Sequence, residues 1–201
     1  MVKKVKFNLQ DSLIYVGLDC ETSSDRFDTA KPIQIGATIY KNGELKTFGS
    51  FIRHDFEDDW SSEAYKIHKI DPLTLKKAPE AKYVDLELLE WLNVNLDYPD
   101  DESLIAVGWN VNSFDFHFLK PAFKKSLSLF SRRVVELNSL IFYLSGTQAS
   151  NFQGFDQIKD SAKNVSRDIM KTHKIVGNDH DAVYDSALGL VVFSQLREFL
   201  R

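Results

Sequence analysis

Residues 13–18, LIYVGL, form an unbroken apolar run that ends in the triplet Asp19-Cys20-Glu21. A short stretch of β-branched, aromatic and aliphatic residues without a polar break reads as a strand buried on both faces, the kind that lies at the centre of a sheet. A second strand is expected over 32–40 (PIQIGATIY). Asn42-Gly43 is a hairpin signal, and a third strand follows over 45–52. Helical patterning starts near Ser62, resumes near Tyr83 and continues to about Leu96. Residues 104–109 (LIAVGW) read as a fourth, buried strand, 114–126 as a helix and 133–137 as a short fifth strand. Helical segments fill much of 157–174, and a last helix runs from about Ala182 to the C-terminus. Three strands with a hairpin, then helices alternating with two more strands, predict an α/β fold: a mixed five-stranded sheet with helices on its faces.

The chain of 201 residues is expected to be one domain, 1–201. No internal repeat is visible, and the polar loops at 22–31 and 98–103 are too short for interdomain linkers. Hydrophobic residues make up 43% of the sequence, 15 of them Phe, which supplies a full core and excludes global disorder. A single cysteine excludes an internal disulfide and fits a reducing compartment. The basic start, Met1-Val2-Lys3-Lys4-Val5-Lys6, leads into no apolar segment of signal-peptide length. The longest apolar stretch, 140–144, is far too short to span a bilayer. A cytoplasmic protein without a membrane partner is expected. The net charge of −4 argues against coating nucleic acid by a bulk positive field. It leaves nucleic acid open as a substrate, because carboxylates gathered to hold metal ions make a site acidic until the cations reverse its sign.

Three segments could carry chemistry. In a strand, residues i and i+2 share a face, so Asp19 and Glu21 project together and Cys20 points away into the core. Two such carboxylates repel unless a proton or cation intervenes, and hard oxygen ligands suit Mg²⁺ or Mn²⁺. The plain reading is a solvated strand end, and Asp-x-Glu alone is common by chance. The second segment, Gly108-Trp109-Asn110-Val111-Asn112-Ser113-Phe114-Asp115, leaves a buried strand and opens a helix, with Asp115 in its first turn. Helix capping alone explains an acid there. Strand ends in an open α/β sheet are also where sites form. The third, His180-Asp181-Ala182-Val183-Tyr184-Asp185, starts the final helix. Its plain reading is a capping Asp181 and a surface His180; its functional reading has His180 and Asp185 converging across the helix start. Cys20 has no activating His nearby and reads as a small buried residue. His54, His68, His117 and His173 are scattered and read as surface or satisfied core. Lys120, Lys124, Lys125, Arg132 and Arg133 form the densest basic cluster, either a solvated face or a phosphate-tracking rim.

Taken in order, Asp-x-Glu (Asp19, Glu21), Asn-x-Asn-x-Phe-Asp (110–115) and His-x-Ala-x-x-Asp (His180, Ala182, Asp185) resemble the DEDDh 3′–5′ exonucleases, or DnaQ-like family, of the RNase-H-like fold. The likeness spans about 15–196. Pro32-Ile33-Gln34-Ile35-Gly36-Ala37 and Ile67-His68-Lys69-Ile70 with Leu73 and Ala78-Pro79 are similar to family segments too. Thr22-Ser23-Ser24 departs from the family's frequent Thr-Thr-Gly, and Asn138-Ser139-Leu140 from its Asp-Thr-Leu. The resemblance implies a metal-dependent exonuclease that hydrolyses phosphodiester bonds from single-stranded 3′ ends, DNA slightly ahead of RNA, with release of nucleoside 5′-monophosphates. Asp19, Glu21 and Asp185 would hold one of two divalent cations, Mg²⁺ or Mn²⁺. Asp19 would bridge to the second, helped by Asp115. His180 would be the general base. Thr22, Ser23, Asn110 and Phe114 would bind the terminal nucleotide. An RNase T-like or oligoribonuclease-like exoribonuclease, a dinucleotide phosphodiesterase and a non-catalytic nucleic-acid-binding module on the same fold are the competing readings. A polymerase or repair complex would be a partner in trans.

Overall fold

The apolar run lies at the middle of the sheet and extends beyond its apolar part. β1 (Ile14–Thr22) carries Asp19, Cys20 and Glu21 within the strand, because on one side it remains paired with β2 (Pro32–Lys41) through Asp19↔Gly36 and Glu21↔Gln34. On its other side β1 pairs in parallel with β4 (Leu104–Gly108) only as far as Gly17↔Val107. Beyond Gly17 that edge of β1 is free to accept other partners. The computed structural model describes residues 13–55, 59–98, 103–146 and 152–199. Its five strands form one mixed sheet in the order β3-β2-β1-β4-β5, with β3 (Glu44–Phe51) antiparallel to β2 and β5 (Phe130–Glu136) parallel to β4. Asn42 and Gly43 both have positive φ, 55° and 87°, as a two-residue hairpin turn requires.

Helices cover both faces. α3 (Ala81–Asn95) and α4 (Asp115–Ala122) pack on the face that receives Val16, Leu18 and Cys20 of β1 and Ile35 and Ala37 of β2. α5 (Leu137–Gly146), α6 (Phe152–Thr172) and α7 (Ala182–Phe199) build a second core on the opposite face around Val107, Ile141, Met170, Leu188 and Val191. The short α1 (Ser62–His68) is capped by the Ser61 hydroxyl, which accepts from the Glu63 and Ala64 amides. α2 (Pro72–Lys77) starts with Asp71 as cap and proline in its first turn. α7 lies against β1 and β2 at glycines: a Cβ on Gly36 would collide with the Ala182 carbonyl, and one on Gly17 with the Ser186 carbonyl. This close approach brings the start of α7 beside the charged end of β1.

The sheet, hairpin and order of elements follow the sequence expectation; several boundaries do not. The helix expected over 114–126 stops at Ala122, because Pro121 weakens its last turn and Phe123 turns away at φ −110°. Ser126–Leu129 then form a 3-10 turn tied to α3 by Asp85, whose carboxylate accepts from the Lys125 and Ser126 amides and the Ser126 hydroxyl. β5 begins at Phe130, earlier than expected, and α2 and α5 were not expected. The basic N-terminal segment and most of the loop at 98–103 lie outside the described residues. Among the described residues no helix is long and apolar enough to cross a membrane.

Candidate active site

The site forms where β1 outruns β4, at the C-terminal end of the central strand. Asp19 and Glu21 project toward the α7 side, while Cys20 is buried in the core of the other face. Asp115 is buried at the start of α4. Its Oδ1 accepts the Cys20 backbone N–H at 2.7 Å, on the strand edge that β4 no longer pairs. Asp115 is thus fixed beside Asp19 by a backbone bond. From α7 comes Asp185: its Oδ2 accepts the His180 backbone N–H at 2.8 Å, and its Oδ1 is buried with no hydrogen-bond partner. His180 itself sits at φ 66°, a left-handed turn that reverses the chain just before the helix. Asp181 caps that helix, its Oδ1 accepting the Val183 and Tyr184 amides, and Gln34 of β2 pins the same turn through the Ala182 N–H. One ligand atom each from Glu21, His180 and Asp185 lie within 4.8 Å of one another. Asp19, Glu21, Asp115, His180 and Asp185 line one cavity of about 430 Å³.

The carboxylates crowd one another. Burial, then the charges of Asp115, Asp185 and Glu21, hold the Asp19 carboxyl well above the usual range. Burial, with Asp185 and Asp115 adding, pushes Glu21 up to about 8. Burial also raises Asp115, against the hydrogen bonds from Cys20, and raises Asp185, against the His180 N–H. A cluster that resists ionisation this strongly at neutral pH is a site that a divalent cation would stabilise. The carboxylate oxygens, one of them an orphaned Asp185 oxygen, form a donor set that fits Mg²⁺ or Mn²⁺.

Residues 16–193 match the family model described as Exonuclease, RNase_T. The chain belongs to the exonuclease family. No curated protein gives a significant sequence match. Among solved structures, cell-death related nuclease 4 superposes with a TM-score of 0.64 at 14% identity, over 92% of this chain and 64% of that one. The nuclease domain of 3′hExo, a DEDDh family member bound to rAMP, gives 0.64 at 12% identity, over 92% of both chains. E. coli Exonuclease I in complex with a dT13 oligonucleotide gives 0.62 at 14% identity, over 92% of this chain and 41% of that one. The chain therefore spans less than two thirds of the length of cell-death related nuclease 4 and of E. coli Exonuclease I. The likeness establishes the fold as RNase-H-like.

In this exonuclease-family site, three of the four expected nucleotide-binding residues line the cavity: Thr22, Asn110 and Phe114. Asn110 sits at φ 61° and its Oδ1 accepts from Asn138 Nδ2 at 2.8 Å. Phe114 packs edge-on against Phe118 and, with it, against the half-exposed Phe27. Ser23 does not line the cavity. It is fully buried, its hydroxyl accepts the Lys31 amide and its carbonyl the Ser61 amide, so it ties the β1–β2 loop to α1; Ser24 faces the cavity. His68, read from sequence as surface or satisfied core, is a cavity residue: Nδ1 accepts the Ile70 amide at 3.0 Å, which places its proton on Nε2, and burial pushes its pKa down to about 4. The basic cluster of Lys120, Lys124, Lys125, Arg132 and Arg133 is exposed and does not line the cavity. Two lysines that sequence reasoning passed over, Lys159 and Lys163 of α6, do. Their spacing marked a helical face, but only the packing of α6 shows which way that face looks.

Proposed function

We propose that this chain is a divalent-metal-dependent 3′–5′ exonuclease acting on single-stranded nucleic acid, DNA ahead of RNA, and releasing nucleoside 5′-monophosphates. The observation that carries the reading is the meeting of Asp19, Glu21, Asp115, Asp185 and His180 in one cavity at the end of β1. Asp19, Glu21 and Asp185 would hold one cation, and Asp19 with Asp115 a second. Bound there, the cations supply Lewis-acid neutralisation of charge on the phosphate and favour hydroxide over water near neutral pH. The protein's own residues do the rest. Asp115, locked to the Cys20 amide, and Asp185, locked to the His180 amide, keep the carboxylates at fixed positions before substrate arrives. The His180 imidazole, exposed at the mouth of the site, takes the proton from the attacking water. The water oxygen bonds to phosphorus, the bond from phosphorus to the 3′-oxygen breaks, and that oxygen takes a proton from solvent as it leaves on the shortened strand, while His180 returns its proton to solvent. A cavity of about 430 Å³ suits one unpaired nucleotide, with Phe114 as an aromatic surface for its base. The 3′hExo nuclease domain is bound to rAMP and E. coli Exonuclease I to a dT13 oligonucleotide, so the sugar preference of this chain is part of the test.

The test is digestion of matched 5′-labelled DNA and RNA oligomers with Mg²⁺, Mn²⁺ or chelator. A ladder shortening from the 3′ end, abolished by chelator, restored by metal and faster on DNA, is expected. A binding module would shift the oligomers without shortening them.

A further inference from the structure

Phe155, Lys159 and Lys163 recur every four residues along α6 and so share one stripe of the helix. That stripe faces Trp109, the residue that follows β4. Lys159 Nζ and Lys163 Nζ each lie 5.1 Å from the Trp109 ring centroid, and Lys159 Nζ lies 5.6 Å from that of Phe155. An indole face orients ammonium groups without consuming their charge. Neither lysine forms a salt bridge among the described residues, although both line the cavity of the carboxylates and Lys163 is close enough to ease the ionisation of Asp19 and Asp185. Two half-buried cations therefore stand across from four acids, held by aromatic rings and committed to no acid.

We propose that Lys159 and Lys163 are the phosphate-binding arm of this site: Lys163 takes the diester being cleaved, and Lys159 the next diester toward the 5′ end. This rests on the exonuclease reading above. A strand brings its own negative charges to this acidic cavity, and these two ammonium groups line the same space. Lys163 is the lysine whose charge acts on Asp19 and Asp185. Lys159 lies one turn away, about 6 Å along the helix axis, next to Phe155 at the outer end of the stripe. The consequence is a dependence on chain length. A dinucleotide has one diester and uses Lys163 alone; a longer strand uses both.

The experiment is steady-state hydrolysis of a single-stranded DNA decamer and a dinucleotide by Lys159→Gln, Lys163→Gln and Lys163→Arg, with Lys171→Gln as control. Lys171 is on the same helix but exposed and paired with Asp168. Decamer binding is followed by anisotropy against salt, with Ca²⁺ in place of Mg²⁺. Lys163→Gln is expected to lower kcat/KM roughly tenfold on both substrates, the size of one charge-assisted hydrogen bond, and Lys163→Arg to recover most of it. Lys159→Gln should raise KM on the decamer and leave the dinucleotide unchanged. Each Gln variant should reduce the slope of log affinity against log salt by about 0.7, and Lys171→Gln should not. If wild type digests the decamer but both Gln variants keep its KM and salt slope, the phosphate arm is wrong and the exonuclease reading stands. If Lys159→Gln impairs dinucleotide and decamer equally, the assignment of two successive diesters is overturned. If wild type digests neither substrate, the exonuclease reading itself fails.

Discussion

Cys20 and its two neighbours divide the chemistry of one strand by alternation alone. Asp19 and Glu21 face the cavity; Cys20 faces the core, and what it gives the site is its backbone N–H, bonded to Asp115. Cys20→Ala keeps that N–H. It should retain most of the turnover and lose about 1 kcal/mol of stability from the vacated volume, read from denaturant melts beside the rate. Complete loss of turnover in a folded Cys20→Ala protein would contradict the strand assignment. His180 offers a different separation. Its backbone N–H positions Asp185 and survives substitution, whereas its imidazole does not. His180→Ala should therefore slow single-turnover cleavage by roughly 10²–10⁴ with Mn²⁺ and oligomer binding close to normal, and Asp19→Ala should lose Mn²⁺ binding itself. Unchanged turnover in His180→Ala would remove it as the base. At this scale much was legible: strand alternation placed Asp19 against Cys20, and the cap at Asp181 followed from its position before α7. Ser23 was misjudged because the Thr22-Ser23-Ser24 loop has no periodicity, and only the bonds to Lys31 and Ser61 show that it turns inward.

At the scale of elements, the site depends on how closely α7 lies on the sheet. Gly36 is opposite Asp19 in the ladder and beneath the first turn of α7, where it admits the Ala182 carbonyl. Gly36→Ala should lift that turn, cost about 3 kcal/mol and carry Asp185 away from Asp19, so activity falls further than stability alone explains. Gly43→Ala, in the hairpin with nothing within 4 Å, should cost about 1 kcal/mol for its φ of 87° and leave kcat unchanged. Melting and kinetics on the two variants check this; equal kinetic effects would contradict the role of the α7 contact. β1, β2 and β4 were readable as largely apolar runs and β3 from the Asn42-Gly43 hairpin signal, whereas the start of β5 was hidden by Ser131, Arg132 and Arg133. α5 was not, since LNSLIFYLSG carries no polar stripe to set its period, and α2 is a single capped turn too short to show one. The face of α6 toward the cavity depends on where α6 packs, and no local pattern encodes that.

The molecule as a whole holds an acidic cluster that opposes folding when it ionises without a cation. A carboxyl raised in the folded state contributes stability that is complete below its ordinary range near pH 4 and is lost as pH rises through the folded value, about 8 for Glu21. Chelated protein should melt at progressively lower temperature from pH 5 to pH 9. Saturating Mn²⁺ should raise the melting temperature more at pH 9 than at pH 5, because only ionised ligands bind it. A chelated protein whose melting temperature rises over that range would contradict the cluster. The claim that joins residues, helices and metal is that water, aided by His180, cuts the last phosphodiester on its 3′-oxygen side. Digestion of a single-stranded oligomer in ¹⁸O-water with Mg²⁺, followed by mass spectrometry of the released mononucleotides, tests it most directly. Nucleoside 5′-monophosphates carrying one ¹⁸O on phosphorus from each new cut are the predicted products; 3′-phosphates, internal fragments or unlabelled monophosphates would contradict the account.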